Sequence, residues 1–275
     1  MENNKSPGLD GLSTNFYKHF WHILGPELTH IYNYAYDHGQ LSLSPRRGVI
    51  SLLFRKGDCT KLQNWRPITL LNTDYKILTK ALSNRLKQTL PFVIHTDQTA
   101  CIPGRMINDN LLLMQDAITY ANETNIPLAL ISFLPAFDRV SHTFLFKTLE
   151  KFGLGLEFQR WIKTLYTDVA SSIKVNGWLT AFISIGHSLR RGCALSMPLY
   201  VLTAELLATH IRAHRDMKGL QHPNVTPKIS QYADDTTLLL ADDLCITNAL
   251  KMYKAYEDKN QSTKMQGSLD WIIQG

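Results

Sequence analysis

The 275-residue sequence lacks the features that mark membrane-spanning, secreted and zinc-stabilised proteins. No apolar run reaches the ~20 residues that a transmembrane helix needs, and the first residues show no signal-peptide pattern. The cysteines are scattered without a CxxC pair, which argues against a zinc site and against a disulfide framework. We therefore expect an intracellular protein, in the nucleus or the cytoplasm, without membrane contact.

Positive charge is concentrated in one part of the chain. The net charge is +6, but residues 46–105 carry eleven Lys or Arg against three acids, a local net charge of +8. The remainder of the chain therefore sums to −2. Such a basic stretch suits a surface that faces a polyanion, although charge alone is equally compatible with an ordinary solvated basic face.

Hydrophobic periodicity predicts helices mixed with short strands. Helices are predicted over 16–36 (with an interruption near Gly25-Pro26), 75–90, 108–121, 145–152, 157–166, 198–214 and 246–257. Strands are predicted over 48–54, 128–133 (buried), 171–175 and 180–184, and on both sides of Tyr232–Asp235. The strands 171–175 and 180–184 are predicted to pair through a turn at Asn176-Gly177. Because the strands pair mainly as hairpins, we predict an α+β fold with an antiparallel sheet.

Two adjacent carboxylates, Asp234 and Asp235, lie at the tip of the last predicted hairpin. Adjacent carboxylates repel each other, so the tip either lies in water or faces a cation. Carboxylate oxygens suit Mg²⁺, which keeps much of its shell for water and phosphate. An isolated Asp-Asp pair is more often a solvated turn, so a metal site here requires support from the rest of the chain.

Five ordered blocks supply that support, because together they resemble the reverse transcriptase domain of non-LTR (LINE-type) retrotransposons. The blocks are Asn64-Trp65-Arg66-Pro67-Ile68, Asp97-Gln98 with Gly104-Arg105, Ala136-Phe137-Asp138-Arg139-Val140, Arg190 with Gly192-Cys193, and Tyr232-Ala233-Asp234-Asp235. The resemblance implies a right-hand polymerase with fingers and palm, an antiparallel palm sheet with packed helices, and no thumb. It divides the chain into an N-terminal helical extension (1–47), fingers (48–125), palm (126–257) and a degenerate tail (258–275).

The resemblance also implies a reaction and the residues that carry it. It implies an RNA-directed DNA polymerase that uses an RNA template, a DNA primer, deoxynucleoside triphosphates and two Mg²⁺ ions. Asp234 and Asp235 would be the catalytic metal ligands. Nucleotide contacts are implied for Arg55, Lys56, Arg66, Phe137 (as steric gate against the ribose 2′-hydroxyl), Arg191 and Gly192, and nucleic-acid contacts for Arg105 and Tyr232.

The chain departs from the family pattern at the first catalytic aspartate. The family has Asp-x-x-x-Ala-Phe-Asp, and the position six residues before Asp138 is Ser132. A second alignment keeps 130–133 in register and treats Leu134-Pro135 as an aspartate-containing piece shortened by two residues. Both alignments lack the aspartate, so we expect weakened Mg²⁺ binding and impaired catalysis. Arg191 is a further departure, because the family usually has glutamine there.

These departures lead us to expect a truncated piece of a retrotransposon polyprotein whose catalytic centre is damaged. One alternative is a non-catalytic remnant that binds nucleic acid through its basic stretch. Another is a pseudogene product without a selected role.

Overall fold

The computed structural model describes residues 1–3, 5–133 and 139–261. The chain divides into two compact units, each assembled from segments that are distant in sequence. The first unit contains Met1–Asn84, Gly153–Gly186 and Arg190–Ser196. The second contains Arg85–Phe152, His187–Leu189 and Met197–Gly275. The fingers and palm boundaries drawn from the sequence stay a prediction.

The described residues form helices and strands in nearly the predicted order. The helices are α1 (Thr14–His19), α2 (Trp21–His38), α3 (Leu43–Arg46), α4 (Thr73–Val93), α5 (Ile107–Thr124), α6 (His142–Lys151), α7 (Leu156–Tyr166), α8 (Ser196–Ala213) and α9 (Asp243–Gln261). The strands are β1 (Arg47–Phe54), β2 (Trp65–Leu71), β3 (Ala129–Phe133), β4 (Ala170–Val175), β5 (Trp178–Leu179), β6 (Ile183–Ser184), β7 (Ile229–Tyr232) and β8 (Asp235–Leu240). No helix of this described part is long and apolar enough to cross a lipid bilayer.

The first unit is built on a mixed sheet with the order β2-β1-β4-β5, in which β6 also pairs with β4. β1 and β2 are antiparallel, whereas β1 and β4 are parallel. The turn between β4 and β5 is the predicted Asn176-Gly177 pair, and both residues have positive φ values, 50° and 88°. These values match the two-residue hairpin turn that this dipeptide favours.

The second unit contains the antiparallel sheet β3-β8-β7, which confirms the predicted hairpin. One face of this sheet packs on α9, where the ring of Phe133 stacks on that of Tyr253 at 4.3 Å between centroids. On the opposite face, Leu239 packs against Ala117 and Ala121 of α5. On that second face Leu239 and Ser230 are buried, whereas Ser132 and Asp235 are exposed.

Two sequence-based expectations about individual elements are wrong, and one strand was missed. The break between α1 and α2 falls at Phe20 and not at Gly25-Pro26, since Pro26 lies inside α2 and Gly25 packs closely against the Trp21 ring. β3 is not buried, because it lies at the end of its sheet with alternate residues exposed. β2 was not among the predicted strands; it lies at the end of its sheet, where the missing N–H of Pro67 is tolerated.

Candidate functional site

The two carboxylates lie at a two-residue turn between β7 and β8. Tyr232 and Asp235 form the last pair of the ladder, and Ala233 and Asp234 are the central residues of the turn. Ala233 is buried and has a φ of 56°, and it is the only one of the two central residues with a positive φ. This is the pattern of a type II′ turn, in which glycine is the usual residue at that position. Asp234 is half-buried, whereas Asp235 and Tyr232 are exposed.

The face of the sheet that carries Asp235 also carries Ser132. β3 and β8 pair in register, with Ser132 opposite Thr237 and Phe133 opposite Thr236. Ser132 is therefore two pairs removed from Asp235 along the ladder, on the same face. Residues 134–138, which include the proposed gate Phe137, lie outside the described residues.

A buried glutamine holds the turn from the side of β7. The Gln98 side chain is fully buried, and its Oε1 accepts hydrogen bonds from the backbone N–H groups of Ala233 (3.1 Å) and Ala100 (3.0 Å). Its Nε2 donates to the carbonyl oxygen of Ala233 at 3.4 Å. One amide side chain thus contacts both polar backbone groups of the residue before Asp234.

The segment around Gln98 runs alongside β7 and completes that edge of the sheet. The N–H of Gln231 donates to the Asp97 carbonyl at 2.8 Å, and the N–H of Thr99 donates to the Gln231 carbonyl at 3.1 Å. Asn110 of α5 strengthens the contact, since its Nδ2 donates to the Ser230 hydroxyl (2.7 Å) and to the Gln231 carbonyl (3.0 Å). Polar groups of β7 that would otherwise lie buried without partners are satisfied in this way.

Arg105 holds the loop that carries Gln98. Its guanidinium donates to three carbonyl oxygens, those of His95 (2.5 Å), Gln98 (2.8 Å) and Ile94 (3.0 Å). Arg105, which the sequence predicts to contact nucleic acid, therefore helps to hold the loop that supports the hairpin.

A second arginine holds the same loop at its other end. The guanidinium of Arg212 on α8 pairs with the Asp97 carboxylate at 2.7 Å and also with Glu205. Glu205 is almost fully buried, and this burial raises the pKa of its carboxyl group, while the neighbouring Arg212 opposes the shift. Loop 94–105 is thus fixed to α8 by an ion-pair network.

Tyr200 on α8 lies close enough to the carboxylate pair for their charges to interact. Burial raises the pKa of the Tyr200 hydroxyl, and nearby Tyr256 and the charges of Asp234 and Asp235 raise it further. The phenol therefore stays neutral at physiological pH and adds no negative charge to the two carboxylates.

The predicted nucleotide-binding cations belong to the first unit. Arg55 and Lys56 follow the end of β1 and are exposed, and Arg66 is exposed on β2 opposite Leu53. Arg191 is partly buried and its Nη1 donates to the Pro67 carbonyl at 3.4 Å. Two arginines therefore meet at β2: Arg66 belongs to the strand, and Arg191 is bonded to the carbonyl of the following residue, Pro67.

Gly192 is required by the close approach of its loop to β2. Its φ is 82°, and a Cβ atom at this position would lie 2.6 Å from the carbonyl oxygen of Thr69. A non-glycine residue would therefore be strained and would clash with strand backbone. Next to it, the buried Arg190 donates to the carbonyls of Pro45 and Arg46 (both 3.1 Å), which fixes the loop from the other side.

Sequence reasoning identified the carboxylates but not the residues that hold them. Gln98 was matched only as part of a motif block, and Asn110 and Tyr200 were not considered as site residues. The pairing partners Gln98 and Ala233 are 135 residues apart. Hydrophobic periodicity gives no information about a contact over such a distance. The sequence signal for these residues is that the amide side chains Gln98 and Asn110 lie close to Arg105 in the chain.

Comparison with known proteins identifies relatives of the whole arrangement. Residues 54–265 match the family model described as reverse transcriptase (RNA-dependent DNA polymerase). The chain is 42% identical over 258 residues to the uncharacterized 149 kDa protein of transposon TX1 from Xenopus laevis, covering 93% of the chain and 20% of that protein. It is 26% identical over 203 residues to a retrovirus-related Pol polyprotein from the type-1 retrotransposable element R2 of Popillia japonica, covering 73% of the chain and 28% of that protein. The chain therefore spans less than a third of either relative.

A solved structure shares the fold. Telomerase from Candida albicans, in complex with the TWJ fragment of telomeric RNA, superposes with a TM-score of 0.54 at 12% sequence identity. The match covers 77% of this chain and 40% of the telomerase chain. This likeness confirms the predicted α+β polymerase fold.

Proposed function

This chain belongs to the reverse transcriptase (RNA-dependent DNA polymerase) family, as a domain of the LINE type, and from that premise we propose that the β7–β8 turn is its nucleotidyl-transfer centre, impaired by the loss of one carboxylate. The observation that carries the proposal is the position of Asp234 and Asp235. They lie at the turn of an antiparallel hairpin, and Asp235 is exposed on the open part of the sheet face.

The donor set at the turn fits a Mg²⁺ ion. Asp234 and Asp235 offer the oxygen ligands that this cation prefers, and their partial exposure leaves room for water and phosphate oxygens. When bound, the metal supplies charge stabilisation for the transferred phosphoryl group. Within residues 1–3, 5–133 and 139–261, however, no group of three or more His, Cys, Asp or Glu side chains is positioned to hold a metal ion. Because Asp234 and Asp235 are the two carboxylates that the described residues offer at the turn, we expect weak Mg²⁺ binding and impaired nucleotidyl transfer.

We also propose that the cations of the first unit, considered on that unit by itself, contact the nucleotide. Arg55, Lys56 and Arg66 present exposed charges to the triphosphate, and a guanidinium binds phosphate bidentately. Arg191 and Gly192 would line the nucleotide with their backbone and charge. Tyr232, exposed beside the carboxylates, would contact the nucleic acid, and RNA template and DNA primer are the proposed partners.

Primer extension on an RNA template with Mg²⁺ tests the proposal. Four chains are compared: the unmodified chain, a chain with the aspartate-bearing segment rebuilt between Phe133 and Ala136, Ser132→Asp, and the rebuilt chain with Asp234→Ala. We expect extension from the rebuilt chain, about a hundredfold or more above the unmodified chain, since one lost charge-stabilising group typically costs that much. Asp234→Ala should abolish it.

Each other result has a definite meaning. Extension by the unmodified chain at the rebuilt rate would contradict the proposed impairment. Extension gained by Ser132→Asp alone would assign the loss to substitution and not to deletion. No extension from any of the four chains would contradict a nucleotidyl-transfer centre at this turn.

A second candidate function is nucleic-acid binding without chemistry. The observation that favours it is the set of exposed cations in the first unit, Arg55, Lys56 and Arg66. It predicts RNA binding whose log affinity falls linearly with log salt, and triple replacement of Arg55, Lys56 and Arg66 by alanine should weaken binding broadly across sequences. Salt-independent binding, or an unchanged affinity in the triple variant, would exclude it.

A further inference from the structure

Gln98 is buried beside the carboxylate turn in a way that the sequence and the family match leave without a role. The Gln98 side chain does more than fill space, because it makes three hydrogen bonds to backbone groups. Two of these bonds are made to Ala233, one to its N–H and one to its carbonyl oxygen. The question is what this double contact fixes.

The backbone conformation of the turn gives the answer. Type I′ and type II′ turns share a positive φ at the first central residue and differ by a flip of the peptide that joins the two central residues. Here that peptide joins Ala233 to Asp234, and the carbonyl oxygen of Ala233 belongs to it. The flip would reverse the sign of φ at Asp234 and so redirect its carboxylate. Alanine, unlike glycine, has no preference for the type II′ position, so the turn itself does not select this conformation.

We infer that Gln98 is a positioning residue that selects one orientation of the Ala233–Asp234 peptide and thereby sets the direction in which Asp234 meets a divalent cation. By donating to the Ala233 carbonyl and accepting from its N–H, the amide recognises the turn in a single orientation. The cation half of this inference rests on the proposed function, whereas the turn half rests on the hydrogen bonds alone.

The fixation of Gln98 itself supports a positioning role. Its backbone carbonyl accepts from the Arg105 guanidinium at 2.8 Å, and its neighbours Asp97 and Thr99 bond to Gln231 of β7. The side chain therefore has little freedom to follow the turn if the turn moves. A rigid donor and acceptor pair is what pre-organisation of a binding group requires.

Hydrogen exchange resolved to single amides tests the turn half, with Gln98→Met, Gln98→Glu and the control Gln115→Met, which makes the same change at an exposed site on α5. In Gln98→Met, exchange of the Ala233 amide should accelerate about tenfold, the effect of one lost hydrogen bond. The Leu239 amide, which donates to the Lys228 carbonyl, should keep its rate. Gln98→Glu keeps the acceptor oxygen but loses the donor, so it should restore protection of the Ala233 amide, whereas exchange at the Asp234 amide, which belongs to the peptide whose orientation is selected, should change as in Gln98→Met. Equal acceleration at Ala233 and Leu239, or none at Ala233, would overturn the inference.

Mn²⁺ binding followed by electron paramagnetic resonance tests the cation half. Asp234→Asn with Asp235→Asn identifies the signal from this site. We expect Gln98→Met to weaken Mn²⁺ binding about three- to tenfold, while Gln115→Met leaves it unchanged. Unchanged Mn²⁺ affinity in Gln98→Met would overturn this half. If the unmodified chain binds no Mn²⁺ at this site, the proposed function fails, and the exchange measurement alone then decides for or against the turn half.

Discussion

The two edges of the β3-β8-β7 sheet are supported in opposite ways. At the β7 edge, loop 94–105 and Asn110 of α5 bond to the strand and to the turn, and buried groups make most of the contacts. At the β3 edge, alternate residues are exposed, and the described part of the strand ends at Phe133, one pair before Asp235. The difference teaches that the described residues support the turn itself from the β7 side, while the β3 side contributes strand pairing with β8 up to Phe133. Changes at the β7 edge should therefore unfold or distort the unit, whereas changes at the β3 edge should affect chemistry and spare stability.

The largest effect is expected from Asn110→Leu. The change removes the donor to the Ser230 hydroxyl and the Gln231 carbonyl, and both of these residues are buried. Leaving buried groups unsatisfied should lower the free energy of unfolding by about 3 kcal/mol. Urea unfolding measures it, with Asn108→Leu, an exposed position on the same helix, as control. If Asn110→Leu lowers the free energy of unfolding no more than Asn108→Leu does, the β7 edge is not supported more strongly than the β3 edge.

Arg105→Met should lower the free energy of unfolding by about 2 kcal/mol, because three carbonyl oxygens lose a charged donor that water can only partly replace. Arg105→Lys keeps the charge without the fork and should lose about half as much. The matched control is Arg85→Met, at an exposed position of α4.

The same variants separate support of the hairpin from direct binding of nucleic acid. If Arg105 contacts phosphate, Arg105→Met should lower the slope of log affinity against log salt by about one. We expect the slope to stay the same and the stability to fall. A changed salt slope with an unchanged free energy of unfolding would instead assign Arg105 to direct nucleic-acid binding.

Asp97→Asn should cost less, about 1 kcal/mol, because Arg212 keeps its ion pair with Glu205 when the Asp97 carboxylate is lost. A double-mutant cycle with Glu205→Gln measures the coupling of the two acids through Arg212. Because the guanidinium has both partners only in the unmodified chain, the second removal should cost more than the first. Strict additivity of the two changes would contradict a shared network.

The smallest effect is expected from Leu130→Thr on β3, a residue that is 42% exposed. A β-branched residue keeps the strand preference, and little apolar area leaves the interior, so the free energy of unfolding should change by less than about 0.5 kcal/mol. Urea unfolding again provides the measurement. A cost near that of Asn110→Leu would show that the β3 edge is supported as strongly as the β7 edge.

Local patterns in the sequence predicted most of the elements, because their causes are local. The spacing of apolar residues located α4 and α5, and Asn176-Gly177 located a hairpin, since each depends on residues within a few positions. The parallel pairing of β1 with β4 was not predictable in this way. It joins segments more than a hundred residues apart, and no short-range pattern records it.

The residues of the candidate site divide in the same way, into those that a local pattern predicts and those that depend on long-range contacts. Asp234 and Asp235 were predicted because the tetrapeptide and its flanking strands are contiguous. Gln98 was not assigned a role, because its partner Ala233 becomes its neighbour only in the folded unit. The predicted contact role of Arg105 followed from the family resemblance, but its hydrogen bonds to three carbonyls are visible only once loop 94–105 has its native shape.

The end of β3 also bears on how such a chain changes over generations. Phe133 is the last described residue of β3 that pairs with β8, so residues gained or lost after it leave the five preceding pairs in register. A loss of the same size within 97–100 would carry Gln98 away from Ala233 and break the β7 contacts. We therefore expect an insertion or deletion after Phe133 to spare the fold and one within 97–100 to destabilise it. A lineage that loses its chemistry at the tolerant edge keeps a folded domain available for another use.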